Sequence, residues 1–215
     1  MQVSISEKWN AILEETPYNK DEFSNRILYS DINVNDAYKN GFRVFKSTNF
    51  KDYPKTYGSI TKLVELGGNL ICVFEHGVVL IPINERAVAA QGDGGYAFIN
   101  TSNVLPDNPK ILSDSFGSQW RDSIIKTPLG IYGVDTVARK IWFTDGNTFK
   151  NISELKVQKF LNDNISLGER ELTPLIGIRN VKSFYNAYKH DVLFTFYDNL
   201  NGFEEKVWNL CYNEM

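Results

Sequence analysis

The chain has 215 residues, a formal net charge of -3 and 42% hydrophobic residues. That length holds one folded domain, or one domain with an arm. The charge argues against a uniformly basic surface that grips phosphate backbones; it leaves room for a locally basic face, although no Lys/Arg run stands out. No run of about 18 apolar residues predicts a membrane-crossing helix. The N-terminus lacks a basic stretch followed by an apolar core, so synthesis in a cytoplasm without a signal peptide is expected. Cys72 and Cys211 are the only cysteines. Each sits in an apolar strand-like run, so two buried thiols are expected in place of a disulfide framework.

In chain order, Ser4-Ile5-Ser6-Glu7 fits a capping box. Ile5, Trp9, Ile12 and Leu13 then recur at the spacing of one helix face, and Pro17 ends the run. This face packs either on its own domain or on a partner. Arg26-Ile27-Leu28-Tyr29-Ser30 predicts a short strand inside a polar, turn-rich stretch. Phe42-Arg43-Val44-Phe45 alternates like a half-buried strand. Residues 60–66 and 70–74, joined by Gly67-Gly68-Asn69, predict a hairpin, because glycine reaches the positive φ of a tight turn. His76-Gly77 makes the next turn. Residues 78–83 form a third strand, with Pro82 confined to an edge or an end.

Residues 89–118 are rich in Gly, Asn, Ser, Asp and Pro and read as one long loop. Its flexible centre is Gln91, Gly92, Asp93, Gly94 and Gly95. Two further strands follow, residues 130–135 and 141–144, and the second ends at the turn dipeptide Asp145-Gly146. Asn151-Ile152-Ser153-Glu154 starts a helix whose apolar face is Val157, Phe160, Leu161 and Ile165, with Gly168 at its end. Residues 176–181, 192–198 and 206–212 are the last strands. The fold class expected is mainly β: antiparallel meanders of β-propeller type, in an incomplete propeller, with one or two short helices. Residues 1–45 read as an N-terminal helix and extended arm, and residues 46–215 as the propeller-like domain.

No catalytic constellation is visible. Asp31-Ile32-Asn33-Val34-Asn35-Asp36 opens like a calcium loop, but Asp36 and Phe42 stand where that loop needs Gly and a bidentate Glu. Gly92-Asp93-Gly94-Gly95 lacks the Gly-Lys-Ser/Thr ending of a phosphate cradle. His76 and His190 have no metal-ligand neighbours at zinc spacing. Asp135 and Asp145 are strand-end acids that could meet as a glycosidase pair, although Asp145 also reads as a turn residue. Trp142 and Trp208 occupy corresponding places in two hairpins, where core packing is the expected role and a ligand platform the alternative. Neither a cofactor nor a metal is expected.

Several blocks together resemble a known family. They are residues 25–30, 57–63 (Tyr57-Gly58-Ser59-Ile60-Thr61-Lys62-Leu63) and 77–86 (Gly77-Val78-Val79-Leu80-Ile81-Pro82-Ile83-Asn84-Glu85-Arg86). Residues 127–132, Ile141-Trp142-Phe143-Thr144-Asp145-Gly146 and residues 191–197 continue the pattern. In order and spacing these blocks resemble the stabilisation, or tail-nozzle ("muzzle"), proteins of crAss-like gut phages. The resemblance implies a non-enzymatic virion part, made in the host cytoplasm and present as several copies in a ring. Its partners would be further copies and neighbouring tail proteins, with packaged DNA passing through the channel. Members of that family are generally longer, with further strands on both sides of this region. Intersubunit contacts are expected at Ile5, Trp9 and Ile12 and at Gln91, Gly92, Asp93, Gly94 and Gly95. The alternative is a carbohydrate- or receptor-binding module of propeller type.

Overall fold

The computed structural model describes residues 22–31, 38, 40–83, 86–91, 95–100, 105, 109–165, 177–199 and 205–214. The expected N-terminal helix with Ile5, Trp9 and Ile12 lies outside these residues, as do Gly92, Asp93 and Gly94, residues 32–37 and Gly168.

The fold is mainly β, built of antiparallel sheets with one described α-helix. β1 (Arg26–Leu28) pairs with β2 (Phe50–Asp52). The first main sheet holds β3 (Ile60–Leu66), β4 (Asn69–Phe74) and β5 (Val78–Pro82). Gly67 and Gly68 take φ of 59° and 80° between β3 and β4, as the turn requires. Pro82 is the last residue of β5. The chain then leaves the sheet for a two-stranded arm, β6 (Arg86–Gln91) and β7 (Gly95–Asn100), and returns as β8 (Lys110–Ser113) on the free side of β5. The expected long loop at residues 89–118 is therefore corrected. It contains β7, β8 and the end of β6, short strands whose Tyr96, Phe98, Ile99, Ile111 and Leu112 are outnumbered across the segment by the Gly, Asn, Ser, Asp and Pro that signal turns.

β9 (Ile125–Lys126), β10 (Ile131–Asp135), β11 (Lys140–Thr144) and β12 (Phe149–Asn151) form a second four-stranded meander. α1 (Gln158–Asn164) follows. β13 (Gly177–Asn186), β14 (Asp191–Asn199) and β15 (Glu205–Asn213) make a third sheet, of three strands. Phe42 to Phe45 is not a strand. Asn40 accepts a hydrogen bond from the Phe42 amide at 3.0 Å and caps a 3-10 turn at Gly41–Arg43, leaving both aromatic rings exposed.

The three main sheets stack in chain order. Strand alternation sends neighbouring residues of β4 to different layers. Cys72 and Phe74 pack with Tyr53, Tyr57 and Ile27 on one side, while Ile71 and Val73 pack with Ile131 and Trp142 of the second sheet on the other. The second sheet repeats the device. Tyr132, Val134 and Ile141 turn away from the first sheet and meet Leu161 of α1 and Val192, Phe194 and Phe196 of the third. Trp142 is fully buried and stacks on Phe149 with centroids 5.4 Å apart. Its register partner is Gly133. A methyl group on Gly133 would lie 2.2 Å from the indole, so only glycine lets that ring lie over the neighbouring strand.

The connector from β8 to β9 fastens the first two sheets together. The Ser118 amide donates to the Phe74 carbonyl at 2.8 Å, and the Gln119 side-chain amide to the Glu75 carbonyl at 2.7 Å. Thr61 Oγ1 donates to the Ser118 carbonyl, and Lys62 Nζ to the Ile124 carbonyl. From the second sheet, Trp142 Nε1 donates to the Gly117 carbonyl at 2.6 Å. The buried Asp135 carboxylate accepts from the amides of Gly117, Val137 and Ala138 and from Gln119 Nε2, all at 2.9–3.0 Å.

Candidate assembly surfaces

Asp135 and Asp145 do not form an acid pair. β10 and β11 run antiparallel with Asp135 opposite Lys140 and Ile131 opposite Thr144, so the two acids sit at opposite ends of the ladder. Asp135 is occupied by its four donors. Asp145 is exposed and accepts from the amides of Asn147 and Thr148 at 2.8 and 2.6 Å, closing the turn in which Gly146 takes φ of 87°. No cluster of three or more metal-ligating side chains occurs among the described residues. Asp31, the first residue of the calcium-like run, is bound by Lys46 at 2.6 Å and Asn49 at 2.9 Å. His190 meets the Tyr185 hydroxyl at 3.2 Å.

The Thr148 and Asn147 amides hold the Asp145 carboxyl below the usual aspartate range. Folding therefore favours its ionised form. That contribution is complete above the ordinary aspartate pKa and is lost as pH falls through the lowered folded value. Asp145→Asn is expected to flatten this part of the acid limb of stability. Urea midpoints between about pH 2 and pH 5 check the slope.

The third sheet buries one face and leaves the other open. Trp208, Leu210 and Tyr212 of β15 turn inward, and Trp208 stacks on Phe196 at 3.9 Å, a packing role like that of Trp142. Trp208 also meets Phe160 of α1 in a T-shaped contact, with ring centroids 5.3 Å apart. The intervening residues face outward. Register places Phe184, Leu193 and Cys211 in one cross-strand row, with Phe184 56% exposed. Cys211 is therefore exposed, which corrects the expectation of two buried thiols; Cys72, at the centre of its sheet, is buried as expected. The difference is strand parity: both runs are apolar, but Cys211 falls on the outward half of the alternation.

The C-terminal end of β15 is pinned to the second sheet. Thr127 Oγ1 donates to the Glu214 carboxylate at 2.8 Å, and the Glu214 amide donates to the His190 carbonyl at 2.9 Å. Burial first, and hydrogen bonding to Glu214 second, raise the Tyr132 hydroxyl above its ordinary range.

Beside this strand lies a groove of about 380 Å³. Its apolar lining is Ile141, Ile152, Val157, Phe194, Leu210 and Tyr212, and Lys156 is its one charged lining side chain among the described residues. β15 pairs with β14 on one side, and no described strand pairs with its other side.

The β6–β7 arm is the second unfinished surface. Its strands pair only with each other among the described residues. Gln91 pairs with Gly95 at the end of the ladder, and of the eight expected contact residues these two are described. Ile5, Trp9 and Ile12, the other expected contact residues, lie outside the described residues. Sequence reading missed the groove and the row Phe184–Leu193–Cys211. The alternation in β14 and β15 was the available signal for the row, whereas the groove depends on how the segment leading into α1 and the second sheet close over β15.

A family model described as the crassvirus muzzle protein matches residues 8–215. This chain belongs to the crassvirus muzzle protein family. The muzzle protein of Bacteroides phage crAss001 is 23% identical to it over 159 residues. That match covers 74% of this chain and 11% of the relative, so the chain spans a small part of the relative's length.

The muzzle-family blocks quoted from the sequence fall mainly on β3, β5, β10, β11 and β14. β5 and β10 are mostly buried, and every residue of β10 is. The quoted blocks therefore lie chiefly on the scaffold that sets the sheet stack.

Proposed function

We propose that this chain is a structural, non-enzymatic component of a crassvirus virion, made in the host cytoplasm. It stands as one of several copies in a ring at the tail nozzle, where the ring helps form or plug the channel through which packaged DNA leaves. The observation that carries this reading is the match to the muzzle family across nearly the whole chain. The layered sheets support it, since stacked sheets make a stiff wall. We read the two four-stranded sheets and the three-stranded one as successive blades of an incomplete β-propeller. Residues 1–45 act as an arm, tied to the body through the β1–β2 pairing. The net charge of -3 suits a channel past which a phosphate backbone slides without sticking.

The proposed contacts between copies and with neighbouring tail proteins are Ile5, Trp9 and Ile12 and residues 91–95. Deleting residues 91–95 is expected to abolish ring formation in electron micrographs while leaving circular dichroism and melting unchanged. Rings of normal size from the deletion variant would remove these residues from the contact. Peptide mass spectrometry of purified virions tests the broader reading, which fails if the chain is absent from the particle.

A further inference from the structure

We infer that the β6–β7 arm of one copy adds to the outer edge of β15 in a neighbouring copy and seats alternate apolar residues in the groove beside that edge. The inference rests on the proposed multi-copy assembly and names the two surfaces that meet.

Each surface lacks what the other supplies. A two-stranded ribbon is marginal in water, because it cannot bury a face by itself. This one pairs with no third strand among the described residues. Among the twelve residues of its strands Arg86 alone is charged, and β7 reads Gly-Tyr-Ala-Phe-Ile-Asn. A ribbon with a single charged residue is an aggregation hazard unless its open edges are covered.

The third sheet has three strands where its two predecessors have four. The groove lies at residues 210–213 of β15, where a fourth strand would run. A strand entering there would keep its amides and carbonyls satisfied by β15, and every second side chain would meet Ile141, Ile152 and Val157. Away from Lys156 that floor rejects charged side chains, which lose their hydration without gaining a partner. The composition of β7 meets this demand. Its six residues span about 20 Å at roughly 3.3 Å each, which fits within the nine residues of β15. Arm and edge are also different surfaces of one chain. Such a head-to-tail contact can pass from copy to copy around a ring, whereas β15 pairing with itself would stop at a dimer.

The exposed Cys211 makes the test direct, since Cys72 is buried. Tyr96→Cys, Ala97→Cys, Phe98→Cys and Ile99→Cys are made one at a time in the full chain and oxidised mildly after assembly. Non-reducing electrophoresis is expected to show most of the chain shifting to covalent multimers at alternate positions of the four, with the shift lost when Cys211→Ser is added. Mass photometry of the same samples separates the outcomes. Multimers that assemble normally without any disulfide overturn the docking site and leave the ring reading intact. A chain that stays monomeric overturns both. A disulfide closed within one chain overturns the contact between copies.

Discussion

Gly117→Ala is expected to destabilise the fold by about 3 kcal/mol or more, a large share of a typical domain's stability. A methyl group at this position would lie 2.1 Å from the Phe74 carbonyl oxygen, and 2.7 Å from the Glu75 carbonyl carbon and the Gly77 nitrogen. These are backbone atoms at the end of β4, and they cannot rotate aside as a side-chain tip can. The connector would have to move away from the first sheet. That movement would break the Ser118–Phe74 bond on one side and the Trp142–Gly117 bond on the other. Urea unfolding should show a lower midpoint with an unchanged slope. A midpoint equal to the parent's would mean that the connector does not hold the two sheets in register.

Asp135→Ala is expected to cost about 4 kcal/mol, because it leaves four buried or half-buried donors without an acceptor. Asp135→Asn separates charge from geometry. The amide oxygen can still serve Gln119, Val137 and Ala138, but the amide nitrogen then faces the Gly117 N–H, donor against donor. A loss of about 2 kcal/mol is expected for it. Equilibrium unfolding of both variants, and of each combined with Gly117→Ala, provides the measurement. The double variants should lose less than the sum of the singles, since all act on one network. Asp135→Ala at parental stability would rule out the carboxylate as the fastening point.

Much of the scaffold was legible from local signals. Gly67-Gly68 announced the β3–β4 turn, and Asp145-Gly146 the β11–β12 turn, because both need backbone conformations or caps that few residues supply. Pro82 fell at the end of its strand, as a residue without an amide donor must. β13 was placed only in part. It runs on to Asn186 through Lys182 and Ser183, which break the apolar pattern. Ser183 is nevertheless buried, with its hydroxyl on the Ser123 carbonyl, a partner sixty residues away that no local window contains. The arm strands were missed because Tyr96, Phe98 and Ile99 are set among alanine, glycine and asparagine, which signal a strand weakly. Phe42 to Phe45 misled because alternation alone does not make a strand where Asn40 offers a competing cap. Of the candidate surfaces, residues 91–95 were expected as a place of contact from their turn-rich sequence, and that contact remains a proposal. The groove was not legible in the sequence, because its lining comes from β11, β14, β15 and the segment leading into α1, and depends on how the layers close.

The burial of Cys72 gives the fold an internal clock. Its thiol is enclosed at 0% exposure, and burial raises its pKa, so the reactive thiolate is scarce while the first sheet stays shut. A thiol reagent should consume Cys211 at once and reach Cys72 only when β4 parts from its neighbours. The slow phase of that reaction would report how often the wall breathes, in the free chain and again under whatever load an assembled particle imposes.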